Sequence, residues 1–276
     1  MRQAFYFPLQ STPLKMVAGL RAFGVDLGQG ERDQRYFQRD GERARYLAAK
    51  RVAAPERSWL AGDDDEAVQA RDAALTWMRA RLAMEDPEAL AEADADHEAR
   101  DPFDALARAV QEDFAVMCAG EHDDGRTVAL EVRLPGGWRP ERLAEASFHA
   151  IHAPVPGFVD HTLAARSMMR AMIERGPYVR FVWTLCHDDE LDHHPDRPNA
   201  GRWHEARRLF VRVERQVTVP LPEARATVFL IRTYLYPYLT LDSTQRATVR
   251  EAMRVMPSEV RAYKGLPSLE QLAPLL

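Results

Sequence analysis

The chain has 276 residues, 46% hydrophobic and 29% charged, with a formal charge of -5 and two cysteines, a globular composition long enough for one large core or two modest ones. It excludes collagen, coiled coil and disorder, and with them a disulfide framework, a structural zinc site and an iron–sulfur cluster held by this chain alone. Charge is uneven, net +5 over residues 1–62, -14 over 63–124 and +4 over 125–276, and an acidic middle without a concentrated basic face argues against nucleic acid as a partner.

No apolar run approaches the ~20 residues that cross a bilayer, and the start, MRQAFYFPLQSTP, lacks a basic-then-apolar signal region; the expectation is a cytoplasmic protein with no membrane partner. In chain order, helical composition spans Arg39 to Val52 after a Gly28-Gln29-Gly30 loop. A clearer helix runs from Ala67 to Met84, with Val68, Leu75, Met78 and Leu82 at helical intervals, and Asp86-Pro87 ends it. Residues 85–101 read as a short exposed helix or linker, and Asp101-Pro102 opens the next helix as cap and first-turn proline.

From Phe114 the period falls to two: FAVMC and TVALEVRL predict a hairpin around His122-Asp123-Asp124-Gly125. Pro140 opens a predicted helix to His152, stopped by Pro154 and Pro156, and a second runs from about Phe158 to Arg175. Strands follow at 178–186, 209–219 and 226–236, then a helix from Ser243 to Met256 capped by Ser243. The order predicts an α+β protein with a five-stranded antiparallel sheet and crossing helices, the order of PAS-like ligand-binding domains. Residues 1–100 are then an N-terminal arm and helical region packing on a domain of residues 101–276 with C-terminal helices.

Strand alternation singles out Arg215, which shares a face with Leu209, Val211, Val213, Val217 and Val219. A guanidinium in an apolar row needs an anion, either a bound ligand or a structural ion-pair partner. Arg232 repeats the pattern with Val228, Leu230, Tyr234 and Tyr236. His149 and His152, three apart at a helix end before a rigid Pro-x-Pro segment, suit metal ligation or capping, and His161 on the next helix competes for the ligand role. The run HDDELDHHPD (187–196) reads as a solvated loop, and Cys118 and Cys186 as small hydrophobes rather than thiolate ligands. There is no GxGxxG after a strand, no GxxxxGK[ST], GxSxG or HExxH, so any reductant must come from another protein.

Several motifs resemble the α subunit of haem-dependent oxidative N-demethylases. They are Trp138-Arg139-Pro140, the segment Ile151-His152-Ala153-Pro154-Val155-Pro156-Gly157, Arg212-Val213-Glu214-Arg215-Gln216, the strand Phe229-Leu230-Ile231-Arg232-Thr233-Tyr234, and Ala262-Tyr263-Lys264-Gly265-Leu266, with Gln111-Glu112-Asp113 and Gly19-Leu20-Arg21 upstream. The resemblance implies a PAS-like domain holding haem b, at which dioxygen is activated beside a small secondary amine that is oxidatively demethylated. It also implies a partner reductase carrying FMN and a 2Fe–2S cluster and using NADPH, associates tetrahydrofolate with the enzyme, and is compatible with an oligomer.

By resemblance, His152 is the first choice of axial haem ligand and His161 the second. Arg215 is implied to stabilise negative charge developing on dioxygen, and Arg232 with Tyr234 to do the same or hold a propionate. Asp72 stands where a family glutamate is expected to orient the amine, one methylene shorter, and Trp183 is an expected pocket wall. The alternative is a non-catalytic PAS-like haem or small-ligand sensor, or a scaffold subunit.

Overall fold

Seven strands form one antiparallel sheet in the computed structural model, which describes residues 3–10, 19–26, 28, 30, 34–144, 146–157 and 162–276. They are β1 (Arg21–Ala22), β2 (Ser58–Leu60), β3 (Asp113–Cys118), β4 (Arg126–Glu131), β5 (Tyr178–Cys186), β6 (Phe210–Leu221) and β7 (Ala226–Pro237), ordered β1-β5-β6-β7-β3-β4-β2. The sheet is therefore larger than the five strands expected. The additions, β1 and β2, are two and three residues long, too short for a period of two to register. They pair with the outer edges of β5 and β4 and shorten the open edges of the sheet.

Register fixes which side chains share a face. Opposite pairs Phe181↔Arg215, Arg215↔Arg232, Val217↔Leu230 and Leu230↔Phe114 run across one face. The helix expected over Arg39 to Val52 is α1 (Arg43–Arg51), and that face of the sheet is covered by α2 (Asp65–Glu85), which buries Ala67, Ala70, Ala74, Met78 and Leu82 at intervals of three and four. Asp64 caps this helix by accepting from the Ala67 amide. The expected stripe through Val68 is displaced, Val68 being 41% exposed, because alanines let the helix lie closer to the sheet than a branched side chain would. Next come α3 (Pro87–Ala95), capped by Asp86, and α4 (Pro102–Ala109), capped by Asp101. After the sheet, α7 (Ser243–Val255) and α8 (Ser258–Tyr263) cover the remainder of this face, the cap of α7 being Asp242 in a capping box with Gln245 rather than Ser243.

The opposite face is covered only in part, by α5 (Phe148–His152) and α6 (Thr162–Glu174), whose Phe148, Met169, Met172 and Ile173 pack with Met117. The helix expected over 140–152 reduces to a single tight turn at Pro140–Arg142 and the short α5. Between them, Ser147 bridges to Arg126 and the Phe148 amide meets the Asp124 and Gly125 carbonyls; these tertiary hydrogen bonds override helical composition. Among the described residues no helix is long and apolar enough to cross a membrane.

A buried charge network ties β4 to α4. Arg133 Nη2 reaches Glu131 Oε2 at 2.9 Å and also pairs with Asp104, while Ser58 donates to Glu131. Burial raises the Glu131 carboxyl to about 6, with Arg133 opposing. The folded chain then holds this proton more tightly than the unfolded one, so the site stabilises most at low pH and loses that contribution as pH rises from the ordinary 4.5 through about 6. Glu131→Gln is expected to remove that slope. Denaturant midpoints of both proteins at several pH values in this window check it, and parallel curves would contradict it.

Candidate active site

The half-buried side chains of the sheet concentrate on the face opposite Arg215. Register aligns Arg180↔Gln216↔Ile231 in one row, Val182↔Glu214 in the next, and Trp59↔Leu130↔Ala115↔Phe229↔Thr218↔Tyr178 in a third. Of these, Arg180, Val182, Glu214, Gln216, Phe229, Ile231 and Trp59 are neither fully buried nor exposed. Leu130 and Ala115 pack with Val132, Trp59, Trp138, Phe229 and Ile231 as a small apolar cluster. The result is an apolar floor with charged residues at one side, bounded by α5 and α6 and by the turn around Gly136. Gly136 lies against Glu214, whose Oε1 would collide with any side chain placed there.

His152 stands beside this floor at the end of α5. Ser147 starts that helix by accepting from the Ala150 amide, and the ring of His152 packs at 4.0 Å from that of Phe148. Nδ1 of His152 lies 2.8 Å from the Phe148 carbonyl oxygen. A carbonyl only accepts, so Nδ1 carries the hydrogen and Nε2 carries the lone pair, the tautomer of a metal-ligating imidazole. Burial lowers the His152 pKa, the Phe148 carbonyl opposes, and the charge of Arg180 lowers it further. His152 is thus held neutral, as a ligand must be.

Glu214 contributes a positioned carboxylate. Gln216 Nε2 donates to its Oε2 at 3.1 Å, and Arg212 Nη2 stands 3.5 Å from its Oε1. Lys264 donates to the Trp183 carbonyl at 2.6 Å on the edge of β5, and burial lowers its pKa to about 8 against the raising effect of Glu214.

The other expected site residues lie elsewhere. Arg215, fully buried, donates to the backbone carbonyls of Tyr36 at 3.2 Å and Arg35 at 2.6 Å. Arg232 pairs with Asp40 at 2.8 Å and lies over the Tyr46 ring at 3.9 Å. Tyr234 donates to Gln38, and Trp183 shares its row with Val213 and Tyr234. These four occupy the face opposite His152, so the fold does not bring them to it. Asp72 is exposed on the outer side of α2. His161 lies outside the described residues. Of the expected set, only His152 meets the half-buried floor.

The 187–196 segment is not the solvated loop expected. His193 Nε2 meets Asp188 at 2.9 Å, and His194, 5% exposed, meets Glu141 at 3.2 Å. Glu141, His194 and Asp196 bring ligand-type atoms together, but Arg139 pairs with both carboxylates; the group clips this loop to the start of the 140–157 segment. Cys118 and Cys186 are both buried thiols, and burial pushes Cys186 up to about 12, which keeps it protonated and unsuited to ligation.

Arg180 and Glu214, both half-buried on this face, are absent from the site residues that the sequence singled out. The signal was present, since alternation sets Arg180 with Val182 on β5 and Glu214 with Gln216 on β6, but these rows read as the solvent side of a sheet. The family model described as haem-dependent oxidative N-demethylase, alpha subunit-like, matches residues 69–273, from the first turns of α2 to the end of α9 (Leu269–Leu272). With that match spanning the sheet's five long strands and both helices beside His152, the chain belongs to the haem-dependent oxidative N-demethylase α-subunit-like family.

Proposed function

We propose that this chain is the haem-binding subunit of a monooxygenase that N-demethylates, or otherwise oxidises, a small amine with dioxygen. The observation that carries the reading is His152, a neutral imidazole with its tautomer fixed by the Phe148 carbonyl, beside a half-buried apolar floor. The five long strands, ordered β4-β3-β7-β6-β5 from one side, support a PAS-like core on which residues 1–100 pack.

The residues of this face fit a haem. The apolar floor suits a flat macrocycle, and three buried polar atoms on the same face, Trp59 Nε1, Thr184 Oγ1 and Thr218 Oγ1, have no hydrogen-bond partner among the described residues. Buried polar atoms are seldom left so unless a ligand or water meets them. Haem when bound supplies the redox and dioxygen chemistry. His152 would hold the iron through Nε2, while the Phe148 carbonyl keeps Nδ1 protonated and raises the basicity of the ring. Val182, Phe229 and Ile231 would exclude water from the reacting face. Glu214 takes the place expected of Asp72, a fixed carboxylate that orients the amine nitrogen.

Electrons come from a separate flavin and iron–sulfur reductase drawing on NADPH, consistent with the absence of a nucleotide motif in this sequence. The test is to titrate haem into the purified protein, record oxidised and reduced spectra, and assay formaldehyde release from secondary amines with a flavin and iron–sulfur reductase and NADPH. A saturable Soret band that shifts on reduction, with amine-dependent formaldehyde, is expected. Protein that takes up no haem overturns the reading.

A further inference from the structure

An arginine on a sheet is expensive to bury without an acceptor for its five N–H donors. The other arginines of β4–β7 all have one: Arg126 pairs with Asp64 at 2.8 Å, Arg212 donates to the Leu191 and Leu134 carbonyls, Arg215 to those of Arg35 and Tyr36, and Arg232 to Asp40. Arg180 differs. It is half-buried, and among the described residues its guanidinium makes no hydrogen bond and no ion pair. Glu214, the acidic group whose charge bears most on it, is already engaged by Gln216 and Arg212, and burial outweighs it in setting the ionisation of Arg180.

We infer that Arg180 is the anchor for a carboxylate of a ligand lying on this face, between Val182 and the Gln216–Ile231 row. The inference rests on the haem reading and deepens it. A guanidinium takes a carboxylate by parallel charge-assisted hydrogen bonds, and two sources offer one here. The first is a propionate of the porphyrin, whose iron would face His152 while its acidic edge reaches Arg180. The second is a carboxylate on the substrate amine, which Arg180 and Glu214 together would recognise as an N-methyl amino acid.

The experiment uses metal-free protoporphyrin IX and its dimethyl ester, titrated by fluorescence into the full chain, its Arg180→Gln and Arg180→Lys variants, and His152→Ala. Metal-free porphyrin needs no axial ligand, so this arm separates the carboxylate anchor from iron ligation. If a propionate is the ligand, Arg180→Gln weakens free-acid binding by about 10- to 100-fold, the worth of a charge-assisted hydrogen bond. Arg180→Lys recovers part of it, the ester binds equally to all, and His152→Ala matches wild type.

If free-acid binding is unchanged, the second arm measures perturbation of the haem-loaded spectrum by sarcosine and by dimethylamine. Selective loss of the sarcosine response in Arg180→Gln assigns the anchor to the substrate. Equal responses in both arms overturn the inference while leaving the haem site standing. A wild-type chain that takes up neither haem nor protoporphyrin overturns both. Because Arg180 has no hydrogen bond or ion pair among the described residues, the variants are expected to keep the wild-type denaturation midpoint, which is checked alongside.

Discussion

His152→Ala is expected to abolish tight haem binding, with affinity falling by more than about 100-fold, since loss even of a hydrogen bond behind a metal ligand commonly costs about 10–100-fold. The weakened Soret band should return when imidazole is added, because a small molecule then fills the space the ring vacates and supplies the nitrogen donor. His149→Ala, on the same short helix, is expected to leave the band in place, since the fixed tautomer that marks a ligand belongs to His152. Difference titrations at the Soret maximum measure all three proteins. Full haem affinity with an unaltered spectrum in His152→Ala would remove His152 from the site.

The second large effect is on stability and belongs to the other face. Arg232 neutralises Asp40, whose side chain is 6% exposed, and stacks on Tyr46. Arg232→Met leaves a buried carboxylate uncompensated and is expected to destabilise the fold by about 3–5 kcal/mol. Arg215→Met removes the donors that satisfy the Arg35 and Tyr36 carbonyls and is expected to cost about 1–3 kcal/mol. Chemical denaturation gives both values, and haem titration of the folded variants should match wild type. A variant with unchanged stability and a shifted Soret band would return that arginine to the cofactor site.

The contrast between these two faces shows what alternation reveals and what it conceals. It correctly placed Arg215 with Val213 and Val217, and Arg232 with Leu230 and Tyr234, because a period of two is a property of the strand alone. It could not tell a ligand from a backbone acceptor, and among the described residues Arg215 donates to two carbonyls about 180 residues away in sequence. The face that carries Arg180, Glu214 and Gln216 reads as polar, and polarity by itself looks the same on a solvated face and on one that receives a cofactor.

The three longest strands, β5, β6 and β7, were legible to within about two residues, since nine or more residues give the period room to repeat. The 140–152 segment was not, because its course is set by hydrogen bonds to Arg126 and the Asp124–Gly125 turn rather than by its own composition. His152 was singled out for a local reason: the helix that ends at it is stopped by prolines visible in the sequence. The family resemblance named the chemistry, while the face on which that chemistry is proposed to sit follows from the register.

The most direct test of that placement is a crystal structure of the haem-reconstituted protein. The macrocycle is expected against Val182, Phe229 and Ile231, with iron bound by Nε2 of His152 and the Arg215 and Arg232 contacts unchanged. A macrocycle lodged instead between the sheet and α2, with Arg215 or Arg232 turned toward it, would place the cofactor on the other face and remove His152 as its ligand.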